Sequence, residues 1–285
     1  PSNLRNVADQ IAVIAIIAVG MTMVIITGGI DLSVGSLVAF SAVATAWFIR
    51  AFGGVHASPW ALTAASLLAV LLSGAVGLAS GGFVTLFRVP PFIVTLAMMQ
   101  VASGLAFILA EGQTIYDIPQ GFTELGRGNA VASLPNAVAI MLLIYVAAHI
   151  FMTRTAMGRR IYAVGGNAEA ARLSGVSNKR VLFFVYLVSG LMAGIGGVIT
   201  ASQLKAGAPT YGVMYELFVI ASVVVGGTSL SGGEGQVFGT LVGAFIISVI
   251  LNVINFMIGE PYTHEVVLGL VILGAVLVDM LRKRR

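Results

Sequence analysis

A series of apolar segments, each close to the length of a membrane-spanning helix, dominates this chain of 285 residues. A helix needs roughly 20 mostly apolar residues to cross the hydrocarbon core of a bilayer. Charged residues make up only 9% of the chain, whereas a soluble domain carries about 25%. Such a chain cannot cover a water-facing surface, so it is predicted to be an all-α polytopic membrane protein. Nine candidate spans cover residues 11–27, 34–52, 60–86, 91–110, 135–152, 181–202, 213–225, 237–258 and 266–281.

These spans predict a single transmembrane domain over residues 1–285. Segment 213–225 is shorter than the others and ends in two glycines, so we expect a broken or partial helix there. The chain begins at Pro1 rather than Met. We interpret this start as a truncation; if the missing piece is one more helix, the whole protein has ten spans.

Lys and Arg predict the orientation. With the C-terminus in the cytoplasm, 11 of the 15 Lys and Arg residues lie in inner segments and four lie in outer segments. Cytoplasmic loops of membrane proteins are enriched in these two residues. Segment 111–134 then lies outside. Loop 153–180 lies inside, carries six basic residues and is long enough to meet another protein.

Several kinds of chemistry are excluded by residue type. Cys is absent, which excludes disulfides and thiolate chemistry. His56, His149 and His264 stand apart, so no metal site is expected. Residues 230–233 read Leu-Ser-Gly-Gly, like a signature of ATPase subunits, but the chain has no G-x-x-x-x-G-K-[ST] phosphate loop. We therefore interpret them as a glycine-rich cytoplasmic turn, and we expect a protein without catalysis or a cofactor of its own.

A short helix is predicted in the middle of loop 153–180. Asn167 is a good N-cap, and Glu169 falls in the first turn, where the helix dipole favours negative charge. Ala170 and Ala171 are strong helix formers, and Gly175 suits the left-handed residue after a helix. A helix this short needs a partner surface. That surface is either the inner face of the protein itself or a separate protein that docks on the loop.

Two glycine-rich stretches share one pattern. Gly-Gly-x-x-Leu-Ser-x-Gly occurs at residues 28–35 and again at 226–233, each time after an apolar run. In a chain with 35 glycines this is either coincidence or an internal repeat that breaks two helices. Transporters place such breaks along the substrate path. The pathway candidates in these stretches are Ser33, Ser229 and Ser231.

Polar residues near or within the spans have two interpretations each. Asp31 is costly inside a membrane and is for that reason a functional candidate. However, Asp31 or Ser33 could also cap the helix that starts near Val34, and we favour capping. Asn252 and Asn255 lie three residues apart on one helix face. They bind either a solute hydroxyl or a neighbouring helix.

Four stretches resemble one protein family. Residues 169–175 fit Glu-Ala-Ala-x-x-x-Gly, the pattern of the cytoplasmic coupling loop in ABC importer permeases. Residues 28–36, 158–167 and 226–233 resemble the ribose/xylose-type branch of that family, and the resemblance covers nearly the whole chain. One position departs from the pattern: Phe218 stands where family members often carry Asp after Tyr-Glu-Leu.

The resemblance implies a type II-like ABC importer permease in a bacterial plasma (inner) membrane. As partners it implies a second permease copy or homologue, two ATPase subunits that bind ATP and Mg, an external solute-binding protein and the lipid bilayer, but no nucleic acid. Ribose is the first expectation for the solute; other pentoses, hexoses, inositol and sugar-like signalling molecules stay open. The alternative is an ion-coupled secondary transporter, for which Asp31 would be the coupling group. An intramembrane enzyme would need a nucleophile–base pair or metal ligands within the spans, and the sequence offers neither.

Overall fold

The computed structural model of the chain describes residues 2–129 and 134–257, together with 266–267, 269–271, 273–274 and 277. Residues 2–129 and 134–257 form eleven α-helices and two short 3-10 helices, Gly54–His56 and Gln120–Phe122. No β-strand occurs in these ranges, and Ile115 and Gly207 form an isolated bridge. The α-helices are α1 (Ser2–Ile26), α2 (Val34–Ala51), α3 (Pro59–Leu86), α4 (Pro91–Leu109), α5 (Thr123–Arg127), α6 (Asn136–Arg154), α7 (Ala156–Gly166), α8 (Ala168–Leu173), α9 (Asn178–Leu204), α10 (Tyr215–Val225) and α11 (Val237–Met257).

The apolar helices coincide with the predicted spans. Five of them, α2, α3, α4, α6 and α9, are long and apolar enough to cross a membrane. Shorter apolar stretches lie in α1, α10 and α11. Each of the first eight predicted segments therefore corresponds to a helix. Of segment 266–281 the structure describes eight residues, all helical, and the rest lies outside the described residues, so the count of nine spans stays a prediction.

Helix α9 is the centre of the bundle and packs against α1, α2 and α3. Small residues let these helices approach closely. A Cβ atom added to Gly77 of α3 would overlap with the carbonyl oxygen of Tyr186, and one added to Gly190 would overlap with the carbonyl oxygen of Ser73. Helix α1 is enclosed by its neighbours, because residues 11–26 are all buried.

Helices α3, α4 and α6 form much of the outer surface, and that surface is apolar. Ile108 of α4 is 75% exposed and Leu143 of α6 is 70% exposed. A soluble monomer rarely exposes a large contiguous apolar surface, whereas hydrocarbon is its natural environment. The exposed faces are therefore those of a polytopic membrane protein.

Two non-helical segments interrupt the bundle at membrane depth. The first, residues 27–33, separates α1 from α2. Asp31 in this segment accepts a hydrogen bond from Ser189. Ser189 lies eleven residues beyond the start of α9, or ~16 Å along its axis. The break is thus well inside the span of α9 rather than at its end.

Residues 205–214 form the second non-helical segment. A Cβ atom on Gly207 would lie 3.1 Å from Val43 Cα, and one on Gly212 would overlap with the backbone of Gly35. The segment therefore descends along α2 by about eight residues, or ~12 Å. Helix α10 begins only after this descent, and its 11 residues span ~16 Å, too short for a hydrocarbon core of ~30 Å. The expectation of a partial helix here is confirmed.

Candidate functional site at the helix breaks and the inner loop

Loop 153–180, which the distribution of Lys and Arg predicts to lie inside, contains two helices, α7 and α8. The predicted N-cap is confirmed: Asn167 Oδ1 accepts hydrogen bonds from the backbone N–H groups of Glu169 at 3.0 Å and Ala170 at 2.9 Å. Gly175 follows α8 in the left-handed conformation, with φ of 81°. Helix α7 has no counterpart in the sequence prediction. Its start is capped by Thr155 Oγ1, which accepts from Gly158 N at 3.1 Å.

Helix α8 projects from the inner loop. Ala171 is buried, whereas the other five residues of α8, Ala170 among them, are exposed, and Leu173 is 73% exposed. Arg172 donates two hydrogen bonds to Glu169, at 2.6 and 3.0 Å, and these bonds hold the pKa of the Glu169 carboxyl below its usual range. The exposed face thus carries an ordered ion pair beside an apolar residue.

The C-terminal end of α7 is wedged between two other parts of the backbone. Gly233 N donates to Ile26 O at 2.8 Å, so the turn at 229–235 is bonded to the end of α1. A Cβ atom on Gly165 would overlap with Ile26 O, and one on Gly233 would lie 2.8 Å from Gly166 Cα. We call this contact of Ile26, Gly165, Gly166 and Gly233 the glycine junction. Only Asn167 separates it from α8.

The two glycine-rich stretches end their helices in the same way. Gly28 and Gly227 are left-handed, with φ of 79° and 89°. In each case the next residue donates to a carbonyl five residues back: Gly29 N to Val24 O and Thr228 N to Val223 O, both at 3.1 Å. These are matching Schellman ends. In the sequence pattern Gly28 aligns with Gly226. In the structure, the residue that matches Gly28 is Gly227, so the two helix ends are offset by one residue relative to the sequence pattern.

The turns that follow the helix ends also correspond. Ser33 N donates to Asp31 Oδ1 at 3.0 Å, and Ser231 N donates to Ser229 Oγ at 3.2 Å. Ser229 is buried and Ser231 is exposed. The two stretches therefore form similar helix breaks, and the glycine junction brings them together.

Asp31 is fully buried and binds three hydrogen-bond donors. Besides Ser33 N, these are the hydroxyls of Ser33 at 2.6 Å and of Ser189 at 2.7 Å. Ser33 occupies the N-cap position of α2 without a side-chain capping bond. The capping interpretation is therefore wrong: Asp31 binds the N-cap residue itself rather than the free N–H groups of the helix, and it fastens the break to α9.

Asn252 and Asn255 lie on α11. Asn252 is half-buried, whereas the side chain of Asn255 lies outside the described residues, so their shared role stays a prediction.

The hydroxyl groups of Thr22 and Thr240 join α1 to α11, and their oxygens are 2.8 Å apart. Sequence reasoning did not find this pair. Contacts between residues 218 positions apart leave no local signal.

A cavity of about 200 Å³ lies between α2, α4 and the start of α10, and most of its lining surface is apolar. Its polar lining consists of Ser36, Gln100, Ser103, Tyr211 and Glu216. Sequence reasoning did not select Glu216, although a carboxylate at the start of an apolar run was an available signal. Across the described ranges, no group of three or more His, Cys, Asp or Glu residues is arranged to hold a metal ion.

Comparison with known proteins identifies the family. Residues 3–276 match the family model described as branched-chain amino acid transport system / permease component. Ribose import permease protein RbsC of Escherichia coli (strain K12) is 40% identical over 285 residues, covering 98% of this chain and 85% of that protein. RbsC of Bacillus subtilis (strain 168) is 40% identical over 281 residues, with the same coverage. The xylose transport system permease protein XylH of E. coli (strain K12) is 31% identical over 347 residues, covering 99% of this chain and 86% of that protein.

No solved structure matches the chain. The match to the family model and the identities to sugar permeases agree with the motifs at residues 28–36, 158–175 and 226–233, and the recognised resemblance is confirmed. The chain belongs to the branched-chain amino acid transport system / permease component family.

Proposed function

We propose that this chain is the membrane-spanning permease subunit of an ATP-driven importer for a small neutral sugar, with ribose as the first candidate. The observation that carries the proposal is the 40% identity, over 98% of the chain, to proteins named ribose import permease. Identity to a xylose permease at 31% favours the wider class of monosaccharides. In this proposal the chain spans a bacterial inner membrane nine times with its C-terminus inside, in a type II-like architecture.

The permease performs no chemistry in this proposal. Two ATPase subunits bind ATP and Mg, a second permease copy completes the pore, and an external binding protein delivers the solute. Loop 153–180 is the coupling element. The exposed face of α8, with its ion pair between Glu169 and Arg172, supports a docking role because a helix of six residues is marginal unless it packs on a partner.

The glycine junction supplies a route from docking to transport. Movement of α8 shifts Gly165 and Gly166, which touch the end of α1 and the turn at 229–235. These contacts are between backbone atoms, so they cannot relax through a side-chain rotamer. Packed contacts of this kind switch between discrete arrangements and do not deform continuously. ATP-dependent movement of α8 would therefore reposition both helix breaks together.

An ion-coupled carrier is the second candidate, and buried Asp31 is the observation in its favour. Reconstitution separates the two functions. The permease is placed in proteoliposomes with its ATPase subunit and binding protein, without any ion gradient, and uptake of labelled ribose is measured. We expect uptake only when ATP and Mg are present on the cytoplasmic side. Uptake that needs a gradient but no ATP would establish the carrier instead.

A further inference from the structure

The cavity beside Glu216 contains polar side chains on a face that otherwise presents apolar residues. Gln100 is exposed on α4, while Ser103 and Glu216 are half-buried. On the same helix, Val101 is 48% exposed and Ile108 is 75% exposed. An amide and a carboxylate at membrane depth are costly against lipid, and they usually face a water-filled cavity or the interior of an assembly.

The depth of the cavity follows from the helices that line it. Ser36 lies in the first turn of α2, which begins beside the break at residues 27–33. Gln100 lies nine residues beyond the start of α4, or ~14 Å along its axis. Glu216 is the second residue of α10, below the descending segment 205–214. All three elements thus place the cavity inside the hydrocarbon region, where non-helical backbone is tolerated only next to protein or water.

Glu216 has an unusual position. Its Oε2 atom touches Gly35, the second residue of α2, so closely that a Cβ atom on Gly35 would overlap with it. The carboxylate therefore lies beside the first turn of α2. Ion pairs among the described residues join Arg50 to Asp117 and Arg172 to Glu169, and neither contains Glu216. The carboxylate accepts a hydrogen bond from its own backbone N–H. Its remaining lone pairs can accept from hydrogen-bond donors that enter the cavity.

The lining defines a chemical class of ligand. A carboxylate accepts hydrogen bonds, an amide both donates and accepts, and Ser36 and Ser103 carry hydroxyls that do both. Vicinal hydroxyls of a polyol match such a set, and Tyr211 adds an aromatic face. The cavity has a volume of about 200 Å³, and pockets for drug-sized ligands have ≈ 300–1,000 Å³. The volume therefore favours a ligand smaller than a drug molecule. A carboxylate outside the ion pairs of the described residues, such as Glu216, repels anions.

We propose that this cavity is a station on the translocation path that binds a neutral polyhydroxylated solute of monosaccharide size, with Glu216 as the residue that accepts its hydroxyls and excludes anions. The proposal rests on the proposed function, since it takes the solute to be one that the permease transports. It assigns a solute-binding site within the membrane. It also gives the permease a selectivity of its own against anions, separate from the selectivity of a binding protein.

Single cysteines test the cavity directly, because the chain contains no cysteine of its own. Ser103→Cys places a thiol in the lining. Gly104→Cys is the matched control, since the next helical residue points about 100° away and a Cβ atom there meets nothing within 4 Å. In the assembled transporter, we expect a cationic methanethiosulfonate reagent to modify Ser103→Cys much faster than Gly104→Cys, and an anionic reagent to modify Ser103→Cys more slowly than the cationic one. Ribose should slow that reaction, and a sugar acid of the same length should not.

Glu216→Gln in the Ser103→Cys background tests the carboxylate without a change of shape. Removing a local negative charge should lower the ratio of cationic to anionic reagent rates by about tenfold, while Glu111→Gln in the outer segment leaves the ratio unchanged. The cavity proposal is overturned by equal labelling of the two cysteines, by a ratio that Glu216→Gln does not change, or by a lack of ribose protection. Absence of ATP-driven ribose uptake in the unmodified transporter, with charge-dependent labelling intact, would instead overturn the proposed function.

Discussion

Asp31 shows how one buried carboxylate can be structural. Its two oxygens bind a backbone N–H and two serine hydroxyls, and one of those hydroxyls, on Ser189, belongs to the central helix α9. Hydrogen bonds to charged groups contribute about 1.5–3 kcal/mol each, so these bonds hold the α1–α2 break against α9. Nothing in this geometry requires the acid to gain or lose a proton.

Substitutions at Asp31 separate structure from proton coupling. Asp31→Asn keeps an oxygen toward Ser33 and offers an N–H toward Ser189, whose hydroxyl can also accept, so ATP-driven uptake should be nearly unchanged. Asp31→Ala removes all three bonds, but it also removes a charge that is costly to bury. The free energy of unfolding should therefore fall by about 2–3 kcal/mol rather than by the sum of the three bonds. Thermal unfolding in detergent and uptake in proteoliposomes are the measurements, with Ser189→Ala as an intermediate case. A folded Asp31→Asn protein without uptake would show that the charge itself is needed.

Among the helices, the local sequence predicts α8 but not α7. Asn167, Glu169 and Gly175 signal the cap, the dipole and the stop of α8 within nine residues. Helix α7 contains Gly158, Gly165 and Gly166, which disfavour a helix by propensity. Two of them are required by contacts that no local pattern encodes: Gly158 lies against Met152 and Gly165 lies against Ile26.

The same limit applies to the helix breaks. The pattern at residues 28–35 and 226–233 predicted their similarity, because a left-handed residue after a helix favours Gly. It could not predict that the two breaks meet at the glycine junction, nor that Glu216 lies against Gly35, since these contacts join distant parts of the chain. Membrane spans were predictable because each one must satisfy its own backbone hydrogen bonds.

Neighbouring glycines provide a matched test of the glycine junction. Gly165→Ala places a Cβ atom against the backbone of Ile26 and Gly233, and overpacking of this kind costs about 1–3 kcal/mol. Gly166→Ala meets nothing within 4 Å and should be neutral or stabilise by up to ~1 kcal/mol through helix propensity. We expect only Gly165→Ala to reduce transport per ATP hydrolysed. Similar losses in both variants would mean that the helix end, rather than the junction, is sensitive.

Charge reversal on α8 tests its docking role. Glu169→Lys breaks the ion pair with Arg172 and places positive charge in the first turn, where the helix dipole disfavours it. Membrane insertion should be unaffected, whereas co-purification of the ATPase subunit and solute-stimulated ATP turnover should fall toward the basal level. Glu111→Lys, the same change in the outer segment, is the control. Wild-type turnover in the Glu169→Lys transporter would remove α8 from the coupling route.

For the whole molecule, the distribution of Lys and Arg predicts which segments lie inside and which lie outside. In the proposed topology, the pocket lined by Arg50, Gln113 and Asp117 belongs to the outer face, where a binding protein would dock. Loop 153–180 belongs to the inner face in the same topology. The proposed partners bind on different faces: the binding protein outside and the ATPase subunits inside. Whether two segments lie on opposite sides of the membrane can be measured without those partners.

Cysteines in the two exposed segments test this orientation. Gln113→Cys and Lys179→Cys both lie at exposed positions of a chain without native cysteine. In sealed, right-side-out vesicles, an impermeant maleimide should label Gln113→Cys, and it should label Lys179→Cys only after the vesicles are opened with detergent. Labelling of both positions before the detergent step would contradict the arrangement of spans between them.

The descent of segment 205–214 by ~12 Å along α2 also has an electrical consequence. A wet cavity beside Glu216 would make the insulating layer between the two compartments thinner than the surrounding hydrocarbon of ~30 Å, so the membrane voltage would fall across that shorter distance. A unit charge carried through the full voltage gains or loses about 2.3 kcal/mol per 100 mV. A neutral sugar crosses the same concentrated field without electrical work, so its import would run at the same energetic cost whether the cell is polarised or not.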